Sequence, residues 1–237
     1  MRKIRCFFTV LLLLILLINE GIVALAMNTA FSTEELSKKD KDTILANINI
    51  SVLKYEPPRK TIECFDVNEN GLIAIGSEDS DNKIIGIYTS DGVFQYGYKF
   101  KDNGSFGIEW DGDNIIIYFV RSDVAVAVNP EGKVENILEI QNTIENNSYW
   151  NHFVFSTKRK VGDIEYALKN DMGVFNIFAS SYSQLVVTNA SGEESVIYDV
   201  NATHLLNVIV VFVGILLFGY LVVRGIIREF IKLNRNV

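Results

Sequence analysis

The chain has 237 residues, 49% of them hydrophobic and 22% charged, with 29 acidic and 22 basic side chains. The charge is partitioned: residues 27–204 carry 27 acidic and 15 basic residues, a net −12, while the other seven basic residues sit at the two ends. That balance argues against a disordered chain, a cytosolic globule and a nucleic-acid binder, which would need a basic face.

In chain order, Met1-Arg2-Lys3-Ile4-Arg5 precedes an apolar run from Cys6 to Ile18, and Ala24-x-Ala26 follows. A basic start, a short apolar stretch and small residues at the end predict a secretory signal over 1–26, cleaved after Ala26. The alternative is a retained signal anchor over 7–26, which has the length to span but carries Asn19 and Glu20 at or near the hydrocarbon. Residues 27–47 are polar, with Ser32 and Glu35 spaced as a capping box, and predict a helical stalk or linker. Cys64 is the only cysteine between the two apolar ends, so residues 48–200 must be held by a packed core rather than a disulfide.

From Ile48 the apolar period becomes two. The stretches 61–67, 72–76, 83–88, 93–100, 114–120, 123–128 and 133–140 are short and rich in β-branched and aromatic residues, as strands are. Asn70-Gly71, Asp91-Gly92, Asp111-Gly112 and Glu131-Gly132 separate them, each offering a glycine where a hairpin needs positive φ. The expectation is an all-β domain over 48–200, with a leading strand at 49–55.

The turns repeat at 41 residues (Gly71 to Gly112) and at 40 (Gly92 to Gly132), with a looser copy of the second at Gly192. Phe65-Asp-Val-Asn-Glu-Asn-Gly-Leu-Ile-Ala-Ile-Gly followed by Ile85-Gly-Ile-Tyr-Thr-Ser-Asp-Gly-Val-Phe resembles blades of the β-propeller superfamily over residues 61–199. The resemblance implies repeated four-stranded antiparallel blade-like units. With three repeats, it implies an incomplete or small β-propeller; the alternative is a β-sandwich. It also implies that Gly92 and Gly132 occupy equivalent turns.

Three groups of residues are candidates for chemistry. Asp66-x-Asn68-x-Asn70-Gly71 has the alternate oxygens of half a calcium loop, although the twelfth position is Ser77 and a hairpin turn uses the same residues. Tyr149, Trp150 and His152, with Phe153, are candidates to line a ligand groove; as alternating aromatics on a strand they serve equally as core. Arg224, Arg228, Lys232 and Arg235 recur at spacings of four, four and three, forming one basic face of a continued helix. No nucleophile elbow, paired-histidine spacing or phosphate loop occurs, so neither an enzyme nor a cofactor is expected.

Residues 205–223 are almost wholly Leu, Val, Ile and Phe, and at ~1.5 Å per residue they cross about 28 Å, the thickness of a bilayer core. The basic tail at 224–237 follows at once and predicts a cytoplasmic C-terminus. The whole reads as a cell-membrane protein, single-pass after signal cleavage or two-pass without it, with its β domain outside the cytoplasm. The leading functional expectation is a non-catalytic binding or scaffolding domain for a protein or glycan partner. An accessory subunit of a larger membrane complex is the second expectation. An envelope glycan-acting enzyme built on surface carboxylates is the third.

Overall fold

The structure, a computed structural model, describes residues 27–235, with side chains as far as Arg228. The signal or anchor expected at 1–26 lies outside the described residues. The described chain opens with strand β1 (Thr33–Glu35), helix α1 (Lys38–Ile48) and strand β2 (Ser51–Leu53). A first meander then runs through β3 (Ile62–Val67), β4 (Ile73–Asp79), β5 (Asn82–Tyr88) and β6 (Phe94–Lys101). A second runs through β7 (Phe106–Asp111), β8 (Asn114–Phe119), β9 (Val124–Val128) and β10 (Val134–Ile140). Helix α2 (Ile144–Tyr149) and a π-helical turn (Trp150–Val154) lead into the third meander: β11 (Lys158–Val161), β12 (Ile164–Lys169), β13 (Gln184–Thr188) and β14 (Glu194–Asp199). A 3-10 turn (Gly173–Phe178) interrupts the third meander, and helix α3 (Asn201–Arg235) follows it.

All pairings are antiparallel between neighbours in sequence, except that β1 joins the edge of β10 and β2 the edge of β6. The last hairpin of each meander is one turn built three times. Gly92, Gly132 and Gly192 have φ of 76°, 79° and 82°, the left-handed region. Their N–H groups donate to the carbonyls of Thr89, Asn129 and Asn189. The side-chain oxygens of those same three residues accept from the N–H groups of Val93, Lys133 and Glu193. The matching turns expected at Gly92 and Gly132 are therefore present, with a third copy 60 residues on.

The first meander is the middle layer. Because successive strand residues face opposite sides, Cys64, Ala74, Ile85, Ile87 and Phe100 pack on Phe106, Ile108, Ile115, Ile117 and Val126 of the second meander. Ile62, Phe65, Ile73, Ile75 and Tyr88 turn the other way, onto Tyr166, Leu168, Leu185 and Tyr198 of the third. The outer face of the second meander (Ile116, Tyr118, Ala125, Leu138) is covered by Met27, Phe31, Trp150 and Val154. The fold is thus mostly β with three antiparallel sheets in succession, and no closed propeller forms among the described residues. A two-sheet sandwich is ruled out by the third layer.

Two local expectations are corrected. Where a helical stalk or linker was expected at 27–47, Met27 and Phe31 are buried and Thr33–Glu35 pairs with Leu138–Ile140. The helix starts later, capped by Ser37, whose Oγ accepts from the Asp40 N–H, and ends at Asn49 in the left-handed region. The Ser32–Glu35 spacing loses because an edge strand both completes a ladder and seats Phe31 among Tyr118, Tyr149 and Trp150. The 149–153 segment is helical rather than a strand. Thr143 caps α2 at the Asn146 N–H, and Asn146 is buried with its amide bonded to Ser32 N–H, Ser32 C=O and Gln141 C=O.

Helix α3 carries a 28-residue stretch, Asn201–Arg228, whose most apolar 18-residue window has mean hydropathy 2.7 and is entirely unburied. It is one helix long and apolar enough to cross a membrane, and it contains the expected span at 205–223. Arg224, Arg228, Lys232 and Arg235 all fall on its C-terminal turns, Lys232 and Arg235 beyond the described side chains.

Candidate functional site

The first strands of the three meanders meet: β3 packs along β7, and β11 touches β3. At one end of these strands lies a cavity of about 630 Å³, lined among others by Asp66, Asn68, Glu109, Trp110, His152 and Arg159. Its floor is an ion pair. Arg159 Nε donates to Asp66 Oδ1 at 2.7 Å, with both side chains only 7% exposed. The second Asp66 oxygen accepts from the Trp110 N–H at 2.8 Å, and the remaining guanidinium nitrogens donate to the Phe153 and Lys158 carbonyls. The guanidinium also lies over the rings of Phe153 (4.6 Å) and Phe65 (5.5 Å). A buried pair satisfied this fully locks three elements that are far apart in sequence.

Beside it Glu109 is half-buried. Tyr149 donates to its Oε1 at 2.8 Å and Tyr118 donates to its Oε2, while Thr29 Oγ1 lies 2.7 Å from the Tyr118 hydroxyl. Burial pushes the Glu109 carboxyl above the usual carboxylate range, and the two tyrosine O–H donors pull against that. Burial, reinforced by the Glu109 charge, pushes both tyrosines up, so they stay protonated donors.

The three sequence candidates fare differently. Asp66, Asn68 and Asn70 all line the cavity, and the oxygens of the first two already hold protein donors. Asp66 is spent on Arg159 and Trp110, and Asn68 Oδ1 accepts from the N–H groups of Asn70 and Leu72. Gly71 N–H donates to the Asn68 carbonyl, so this loop has the same hydrogen bonds as the turns at Thr89, Asn129 and Asn189. The calcium-like spacing is the spacing of that turn. Among the described residues no group of three or more His, Cys, Asp or Glu is arranged to hold a metal.

The aromatic candidates are split by the helical period. Trp150 is buried core against Phe31 and Tyr118. Tyr149 turns to Glu109 and stacks on Phe153 at 5.0 Å. His152 is exposed at the cavity beside Phe153, its Nδ1 donating to the Ser148 carbonyl at 2.9 Å. The basic face at 224–235 is remote from this cavity in sequence and belongs to α3.

Glu109, Trp110 and Arg159 were not singled out from the sequence. A signal existed: Asp66 and Glu109 are charges inside otherwise apolar strands, where a carboxylate persists only if paired. Trp110 and Asn68 line the cavity, and Trp110 Nε1 and Asn68 Nδ2 are buried without a protein acceptor. Each oxygen of Asp66 and Glu109 accepts a hydrogen bond from one of the protein's own donors. No protein-family model matches the chain, and no curated protein matches it.

Proposed function

We propose that this chain is a membrane-anchored, non-catalytic binding protein whose β domain lies outside the cytoplasm and takes a protein or glycan partner at the cavity beside Asp66 and Arg159. The three meanders are read as blade-like units of an open, propeller-like array. The observation that carries the binding reading is the pair of buried N–H donors, Trp110 Nε1 and Asn68 Nδ2, on residues that line a cavity where Asp66 and Glu109 already accept from protein donors. Such donors suit the carbonyl or hydroxyl oxygens of a peptide loop or sugar, and an exposed aromatic edge at Phe153 adds apolar contact. The anchor reading is supported by the unburied apolar stretch of α3 and by the basic residues that follow it, which favour a cytoplasmic tail.

Photo-crosslinking in living cells tests this. A benzoylphenylalanine in place of His152, at the cavity, should give a discrete higher-mass adduct. The same group in place of Ser191, on the remote β13–β14 hairpin, should give none. Absence of an adduct at 152, or equal adducts at both positions, would overturn the cavity as the binding site. An adduct with a stoichiometric multi-span protein would move the function to an accessory subunit of a membrane complex.

A further inference from the structure

The 3-10 turn Gly173–Phe178 carries Val174, Ile177 and Phe178 at 80%, 82% and 54% exposure. From Met172 to Gly192 the chain has no Asp, Glu, Lys or Arg. An apolar tip of this kind, with Asp171 just before it as the nearest charge in sequence, marks a contact surface.

The turn is ordered by its own side chains. Asn170 Oδ1 accepts from Ser183 N–H at 2.7 Å and its Nδ2 donates to the Ser181 carbonyl. Asn176 Oδ1 accepts from Met172 N–H at 2.8 Å and its Nδ2 donates to the Asn170 carbonyl. Backbone groups that would otherwise need water are held internally, which is the condition for entering a layer without water. The turn is also fixed to α3. Asp171 N–H donates to Asn201 Oδ1, the Asn201 amide donates back to the Asp171 carbonyl, and Ser183 Oγ donates to Asn201 Oδ1.

Depth follows from a third contact. The rings of Phe175 and Phe178 lie 6.1 Å and 5.7 Å from that of Phe212. Phe212 is seven residues beyond Leu205, about 10 Å further along the helix at ~1.5 Å per residue. A ring against Phe212 shares its depth. If the span begins near Leu205, the turn lies below the headgroups, where acyl chains are the surrounding medium.

We propose that the Gly173–Phe178 turn enters the outer leaflet beside α3, with Val174, Ile177 and Phe178 in contact with lipid acyl chains. This rests on α3 being a membrane span. The β domain then has two membrane contacts instead of one. Val200 is the only residue between β14 and α3, so the second contact fixes the height and tilt of the cavity above the bilayer.

The test uses the full chain in phosphatidylcholine vesicles, in a Cys6→Ser background, with nitroxide labels on Ile177→Cys, Val174→Cys, Leu216→Cys and Ser191→Cys. Cys64 is buried and stays unlabelled. Labels at 177 and 174 should show oxygen collisions and loss of collisions with a water-soluble nickel chelate, as at 216, while 191 collides freely with the chelate. Chelate access at 177 and 174 with protection at 216 would overturn the proposal and leave the span intact. Shielding from both oxygen and chelate would mean that protein covers the turn, which also overturns it. Chelate access at 216 would overturn the span itself, and the proposal with it.

Discussion

At the scale of single residues, the centre of the molecule depends on Arg159. Its guanidinium pairs with Asp66, both side chains being almost wholly buried. Arg159→Met leaves that carboxylate buried and unpaired, and should cost about 3–5 kcal/mol in urea melts. The double variant Asp66→Asn/Arg159→Met should lose less than the sum of the two single losses, since the partners are in contact. Glu109 makes a prediction in the opposite sense. Its folded-state affinity for a proton is raised above the ordinary 4.5, chiefly by burial. The stability this gives is fully present below pH 4.5 and is lost as pH rises through the raised folded value. Glu109→Gln should therefore flatten the stability–pH profile between about 4.5 and neutrality, and should stand above the wild type at the neutral end. The turn glycines separate backbone strain from collision. Gly71 and Gly192 have positive φ and open space around a Cβ, so alanine there should cost about 1–2 kcal/mol through the left-handed penalty alone. Gly92→Ala should cost more, because its Cβ would strike the Ile197 carbonyl, whereas at Gly132 it would meet the movable side chain of Val52. Equal turns thus do not imply equal losses at 92 and 132.

Among the elements, strands with short, nearly continuous apolar runs were legible, and those defined by partners were not. β5, β8 and β9 read directly, because they are buried on both faces and a glycine turn or polar loop bounds them. β7 was missed: Gly107 and Glu109 occupy one of its faces. Gly107 is bare because Val154 of the π-helical turn packs where a Cβ would stand, and Glu109 is held by tyrosines from β8 and α2. β1 was missed because its pairing partner lies more than a hundred residues away. The candidate site was less legible still. Asp66 was found as half of a calcium-like spacing rather than as the partner of Arg159, which lies 93 residues from it in sequence. Convergence of three separate first strands leaves no local pattern. The aromatic run at 149–153 misled because its helical state depends on Asn146, a buried amide that ties α2 to Ser32 and Gln141. Asn146→Ala should cost about 1–3 kcal/mol, as buried partners lose their bonds. The loss of near-ultraviolet ellipticity around Trp150 should precede global unfolding; coincident transitions would show that α2 is not a separable element.

At the scale of the whole molecule, a net −12 sits on one side of an apolar helix and a basic tail on the other. That asymmetry, together with three stacked sheets ending one residue before α3, gives the membrane-anchored reading its physical basis. A fixed standing height above a bilayer would need either a stiff joint or a second contact, and the Asn201–Asp171 bonds supply the first. Protease protection tests the arrangement directly. With a tag after Val237, membranes from cells carrying the full chain are washed in alkaline carbonate, and protease is added to intact cells or spheroplasts. The expected result is a chain retained in the washed membranes, whose β domain is digested from outside while a small fragment bearing the tag survives. Release by carbonate, or a protected β domain with loss of the tag, would contradict a domain held outside the cytoplasm by α3.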